Sequence, residues 1–140
     1  MVFFHGGAYG WGGTVDPTYN GQDFAKAHND VILVTCYRLG LMGWADFSQI
    51  EGGEKYTDIN LGLRDQIAAL EWVQKNIAEF GGDPDNVTIF GESAGSWSVT
   101  ALTISPKARG LFKRGIAESG EAAPKSREAA QEFANYIMKA

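Results

Sequence analysis

Gly91-Glu92-Ser93-Ala94-Gly95 is the segment of this 140-residue chain best suited to chemistry. The apolar run Val87–Phe90 before it reads as a strand, and the stretch from Ala94 to about Ile104 reads as a helix stopped by Ser105-Pro106. A serine on so sharp a strand-to-helix turn holds its hydroxyl above the sheet edge in a strained backbone conformation. Gly91 and Gly95, two positions to either side, remove side chains that would collide in the turn. The helix that follows aims its N-terminal N–H groups at the place where negative charge develops when a serine attacks a carbonyl. Glu92 reads either as an electrostatic influence on that site or as a solvated residue of the turn.

A second segment, His5-Gly6-Gly7-Ala8-Tyr9, follows the apolar run Val2–Phe4. Small residues there leave backbone N–H groups able to face an oxyanion. A plain Gly-rich turn is the alternative. A phosphate loop fits poorly, because neither GxxxxGK[ST] nor GxGxxG matches residues 6–13.

Positioning these segments requires strands and helices. Besides the two runs already named, Val31–Cys36 and, more weakly, Arg114–Glu118 read as strands. Val31 to Val34 is continuously apolar, as expected of a strand covered on both faces. Leu63, Ile67, Leu70, Val73, Ile77 and Phe80 form one stripe of a 3.6-residue period, which predicts a helix ended by Gly81-Gly82. A third helix is expected from about Ser126, with Ala130, Phe133 and Ile137 on one face. Alternating strands and helices predict an α/β fold with a parallel sheet. The segment Gly6–Gly13 and the polar stretch Phe47–Asp58 lack regular periodicity.

Composition removes several function classes. The net charge is −5, and no basic stripe tracks a phosphate backbone, so no nucleic acid is expected as partner. The first 93 residues carry 5 basic against 13 acidic groups, and the remainder 7 against 4, which reads as solvated faces. The uncharged run Ser93–Pro106 falls short of the roughly 18 apolar residues of a membrane span. Cys36 stands alone, which excludes an internal disulfide and a multi-thiolate site; it reads as a small buried hydrophobe. His5 and His28 have no partner at ligand spacing, so no metal is expected.

The stretch Phe80–Gly95 resembles the serine signature of the type-B carboxylesterases, the cholinesterase-like branch of the α/β-hydrolases. Phe4–Tyr9, Tyr37–Gly40, Asn60–Gln66 and Ser119-Gly120 resemble the same family, and in its order. The resemblance implies a partial α/β-hydrolase fold: a mostly parallel sheet of about four strands, in spatial order second, first, third, fourth, with helices on both faces. The chain order reverses between the first and third strands, and open α/β sheets bind ligands beside such a point. Carried over by position, Ser93 is the nucleophile. Gly7, Ala8 and Ala94 supply oxyanion N–H groups, supported by Gly6, Gly91, Glu92 and Gly95. The implied reaction is hydrolysis of a small-molecule carboxylic ester through an acyl-enzyme, with no cofactor. Arg38 resembles a structural arginine whose acidic partner is expected upstream of the chain. Trp97 is expected to pack rather than line a pocket, Tyr9 and Trp11 to line a pocket or anchor the loop, and Ser119 to hydrogen-bond near the crevice.

The sequence also departs from the family. A triad of this fold runs serine, acid, histidine along the chain. After Ser93 there is no His and no Asp, and Glu118, Glu121, Glu128 and Glu132 stand too close to the serine to match the family's acid. His5 belongs to the first loop and His28 precedes the second strand. Residues 1–140 are therefore expected to be the central part of one catalytic domain, truncated at both ends and inactive alone. An inactive truncated product is one alternative. A cholinesterase-like adhesion module without hydrolysis is another, since fold does not fix function. The intact Ser93 favours the enzyme. Localisation, oligomeric state and the ester's identity are not legible.

Overall fold

Four strands, all parallel, make the sheet of the computed structural model, which describes residues 1–55, 58–120 and 125–139. They are β1 (Val2–Phe4), β2 (Leu33–Thr35), β3 (Thr88–Glu92) and β4 (Arg114–Glu118), in the order β2-β1-β3-β4. That is the order expected from the resemblance. The β1–β3 register pairs Val2 with Ile89 and Phe4 with Gly91, so the carboxyl end of β1 lies beside the entry to the serine turn.

Helices α1 (Gln22–His28), α2 (Gly40–Trp44), α3 (Leu61–Asn76), α4 (Ala94–Ile104) and α5 (Arg127–Lys139) join short 3-10 turns around the sheet. α3 and α4 cover one face of the sheet. Val2, Phe4 and Ile89 point at Ile67, Leu70 and Val73 of α3 and at Val99 and Leu102 of α4. Full burial of an aliphatic or Phe side chain stabilises by about 1.5–3 kcal/mol, so this layer fixes the face. On the other face, Phe3, Val34, Phe90 and Ile116 line a groove of about 340 Å3 together with Phe24 of α1 and Tyr19 from the turn before it. Among the described residues no helix is long and apolar enough to cross a membrane.

Several local expectations need correction. β2 is shorter than Val31–Cys36 because β1 offers only three residues to pair with it. Val31 to Val34 are half-buried rather than covered on both faces, since β2 is a sheet edge among the described residues. Cys36 is exposed: Thr35 is buried, and the next side chain along an extended backbone points the other way. Phe80 leaves the buried stripe and is 62% exposed. Its segment, Ile77–Phe80, winds as a tighter 3-10 turn, which rotates it off the face of α3 and against Trp72. On α5 it is Ala134 that is buried, while Phe133 is 49% exposed. The side chain of Ile137 lies outside the described residues, as do Tyr56, Thr57 and Glu121. The polar stretch Phe47–Asp58 contains two short 3-10 turns, Phe47–Gln49 and Gly53–Lys55.

Candidate active site

Ser93 sits between β3 and α4 with φ 55° and ψ −118°, a left-handed backbone that an L-residue adopts only under constraint. Its N–H donates to the Glu118 carbonyl at 2.9 Å, and its own carbonyl accepts from the Trp97 N–H at 3.1 Å. The turn is therefore tied to β4 on one side and to α4 on the other.

The two flanking glycines are required by close approach. A Cβ on Gly95 would lie 1.9 Å from the Phe4 carbonyl oxygen, and one on Gly91 would lie 2.7 Å from the same oxygen. β1 thus ends against the serine turn, with room for backbone and nothing more. Ala94, between Ser93 and Gly95, is fully buried, and as the first residue of α4 its N–H has no intrahelical acceptor.

The chain leaves β1 directly into the second segment. A Cβ on Gly6 would stand 3.5 Å from the Ser93 Cβ and 3.1 Å from Oε2 of Glu92, so the loop lies against the turn. Gly7, Ala8 and Tyr9 then take φ of 104°, 50° and 60° in succession. The Gly7 carbonyl accepts from the N–H groups of Gly10 and Trp11 at 2.9 and 3.2 Å, closing a tight turn. Among the described residues the N–H groups of Gly7, Ala8 and Ala94 donate to no protein acceptor. Glu92 is exposed, its carboxylate beside the Gly6 backbone.

Aromatic rings hold the loop from behind. Tyr9 stacks on Trp44 with ring centroids 3.7 Å apart, and its carbonyl accepts from the Gly40 N–H at 2.6 Å. Tyr9 therefore anchors the loop. Tyr37 donates its hydroxyl to the His5 carbonyl at 2.6 Å. Burial, followed by the neighbouring Tyr9 and Tyr19, pushes the Tyr37 phenol far up, which keeps it a neutral donor. Trp97, 38% exposed, lies against Gly120, where a Cβ would meet its Nε1 at 2.6 Å. The Ser96 hydroxyl donates to the Gly120 carbonyl, so this corner is tied to the turn through main-chain atoms of Glu118 and Gly120 rather than through the Ser119 side chain.

Neither histidine is poised over the serine. His5 is 1% exposed, stacks on Tyr37 at 4.5 Å and donates from Nδ1 to the Gly6 carbonyl at 2.7 Å. His28, on α1, packs on Phe24. Arg38 finds its acid within the chain rather than upstream of it. Nε and Nη2 donate to Oδ2 and Oδ1 of Asp65, each at 2.7 Å, and the Arg38 backbone N–H adds a bond at 2.9 Å. These bonds, with the guanidinium first among them, hold the Asp65 carboxyl below its usual range. The pair fastens α3 to the strand exit at Arg38, and Trp44 donates to the Arg38 carbonyl from the other side. Among the described residues no three His, Cys, Asp or Glu side chains cluster as a metal site.

Sequence reasoning missed Gln66 and Ser98, which lie fully buried behind the loop. The signal was present in Gln66: it stands three residues after Leu63 and four before Leu70, a polar side chain on an apolar stripe. Such a group needs a partner.

Known proteins share this fold. A model of the carboxylesterase family matches residues 1–137. The para-nitrobenzyl esterase of Bacillus subtilis (strain 168) is 51% identical over 131 residues, 93% of this chain and 26% of that protein. Carboxylesterase 1D of Rattus norvegicus is 53% identical over 121 residues, 86% of this chain and 20% of that protein. Among solved structures, a thermophilic PNB esterase superposes with a TM-score of 0.92 at 43% identity, over 99% of this chain and 28% of that one. The chain thus spans between a fifth and about a quarter of the length of the curated relatives it matches.

Proposed function

The chain belongs to the carboxylesterase family, and on that premise we propose that it carries the nucleophile and oxyanion hole of a carboxylic ester hydrolase working through an acyl-enzyme. One observation carries the reading: the strained Ser93 turn and the 6–8 loop meet, with backbone N–H groups of both facing no protein acceptor.

The proposed reaction runs in two acyl-transfer halves. Ser93 Oγ attacks the ester carbonyl carbon while a histidine accepts its proton. The carbonyl π pair moves onto oxygen, and that oxyanion takes hydrogen bonds from the N–H groups of Gly7, Ala8 and Ala94. Collapse of the tetrahedral species expels the alcohol, which leaves with the proton from the histidine. Water then adds to the acyl-Ser93 ester in the same way and releases the acid. The three donors are set before reaction, so they need no reorganisation as charge develops. Loss of one such donor slows the reaction by about 10²–10³-fold.

The general base is the part this chain does not supply. One ring nitrogen of His5 is engaged by Gly6 and the ring is buried, and His28 packs against Phe24 of its own helix. The histidine is therefore drawn from outside these 140 residues, and the chain by itself is inactive. The test is mass spectrometry after treatment with a serine-directed fluorophosphonate, applied to this chain and to the protein expressed from its complete reading frame. The expected result is a label on Ser93 in the latter, absent from Ser93→Ala. A folded product of the complete frame that leaves Ser93 unlabelled would overturn the hydrolase and favour an interaction module on the same fold.

A further inference from the structure

One hydroxyl behind the serine turn joins three separate elements. Ser98, on α4, donates its proton to the Ala94 carbonyl at 3.1 Å. It accepts from Nε2 of Gln66, on α3, at 2.8 Å, and its Oγ lies 3.1 Å from the hydroxyl of Tyr9. A hydroxyl has one proton and two lone pairs. With the proton on Ala94 and one lone pair taken by Gln66, Tyr9 is left as the donor to the other. The hydrogen-bonding capacity of Ser98 is then full.

The position of that hub matters. Tyr9 is the residue after Ala8, and Ala94 opens α4, so the bonds of Ser98 reach both sides of the N–H cluster described above. We propose that Ser98 is a positioning residue which, with Tyr9 and Gln66, sets the separation between the 6–9 loop and the first turn of α4, and thereby the span of the oxyanion hole. The inference rests on the acyl-transfer reading of that site.

Two observations separate this role from simple packing. Gln66 is fully buried, and its Oε1 has no partner among the described residues. An apolar side chain at that place on α3 would avoid the free-energy cost of an unmet carbonyl. The amide is held where its donor end meets Ser98, with its acceptor end unmatched. The backbone on either side of the hub is also strained, with φ of 50° at Ala8, 60° at Tyr9 and 55° at Ser93. Such conformers persist only when their surroundings over-determine them, and the Ser98 bonds supply a restraint to each side. Tyr9 has other anchors, the Trp44 stack and the Gly40 N–H, so removing its hydroxyl leaves the loop folded but free to shift relative to α4.

The test uses Tyr9→Phe, Ser98→Ala and the double variant of the protein expressed from its complete reading frame, with 4-nitrophenyl acetate as substrate. A misplacement of about 1 Å can cost about 10²-fold, and a partial shift of one or two donors correspondingly less. Each single variant is expected to lower kcat about 10-fold with KM held within about two-fold, as for contacts made only in the transition state. In the Ser98→Ala background, Tyr9→Phe adds less than about two-fold, because its partner is already gone. Should Ser98→Ala fail to fold, Tyr9→Phe decides the matter alone, its fold checked by near-UV circular dichroism. A folded Tyr9→Phe with kcat within two-fold of wild type, or with a loss confined to KM, overturns the proposal. A wild type that leaves the ester untouched and Ser93 unlabelled overturns the acyl-transfer reading itself, and the proposal with it.

Discussion

Replacing Gly95 by alanine sets two physical effects of opposite sign against each other. Gly95 lies in the first turn of α4, where helix propensity alone favours alanine over glycine by about 1 kcal/mol. The added Cβ, however, would stand 1.9 Å from the Phe4 carbonyl oxygen and 3.1 Å from that of His5. Relief requires a movement of roughly 1 Å by main chain on one side or the other. On the β1 side that main chain is clamped in parallel ladders to β2 and β3. Overpacking of this kind costs about 1–3 kcal/mol and occasionally more. With a backbone atom as the obstacle the upper end applies, and the net expectation is destabilisation by about 2 kcal/mol. The assay is urea unfolding of the protein expressed from its complete reading frame. Gly13→Ala is the control, since nothing lies within 4 Å of its Cβ position and its backbone is not left-handed. That change should stabilise by about 0.4–1 kcal/mol through the unfolded chain. The shift at residue 95 also displaces Ser93, so fluorophosphonate labelling should fall in Gly95→Ala and not in Gly13→Ala. A neutral or stabilising Gly95→Ala would refute the claim that the glycine is there for the contact with β1.

Three further outcomes follow from the same geometry. Ser93→Gly relieves a backbone close to the first central residue of a type II′ turn. Strain of about 1–3 kcal/mol, less about 0.5–1 kcal/mol of glycine's extra chain entropy, leaves a gain of about 1 kcal/mol in urea unfolding while labelling at residue 93 vanishes; a loss of stability would contradict the strain. Leu70→Ala removes a fully buried side chain at the α3–sheet contact and should cost about 2–5 kcal/mol, read as a lower urea midpoint with unchanged slope. Asp65→Asn removes a carboxyl whose folded pKa is depressed by Arg38. Its stabilisation is present above the ordinary Asp value of about 3.9 and is lost as pH falls through the lower folded value. Wild type and variant should therefore differ in urea midpoint at pH 6 and converge as the pH falls below that depressed folded value; a pH-independent difference would exclude the ion pair as the cause.

What was legible in the sequence, and what was not, divides along the range of the contacts involved. The serine turn could be read because its requirements lie within five consecutive residues. Gly91 and Gly95 both crowd the Phe4 carbonyl, and Gly91 also crowds the main chain of Gly95, so close approach imprints a fixed spacing on the chain. The sheet order came from resemblance, and the apolar runs alone would have left it open. Contacts between distant segments left weaker marks. Asp65 lies 27 residues from Arg38, and nothing in the charge pattern selects it from the other acids. Gln66 announced itself as a polar residue on an apolar stripe, yet its partner Ser98 is 32 residues away. Naming that partner requires knowing that α3 and α4 pack on the same face of the sheet, which is a property of topology. Cys36 and Phe80 depart from expectation for a different reason: Cys36 sits one residue past β2, and Phe80 closes the 3-10 turn that follows α3. Extrapolating a strand or a helical stripe past its last regular turn assumes that the period continues. At Thr35 the ladder stops because β1 has no further residue to pair. At Ile77 the helix tightens, and the last apolar residue is carried out of the core. Periodicity therefore identifies the middle of an element, and the structure of its partners decides the end. The site itself is assembled from two such ends, the exits of β1 and β3, where local pattern is least informative. Only the glycines made it readable.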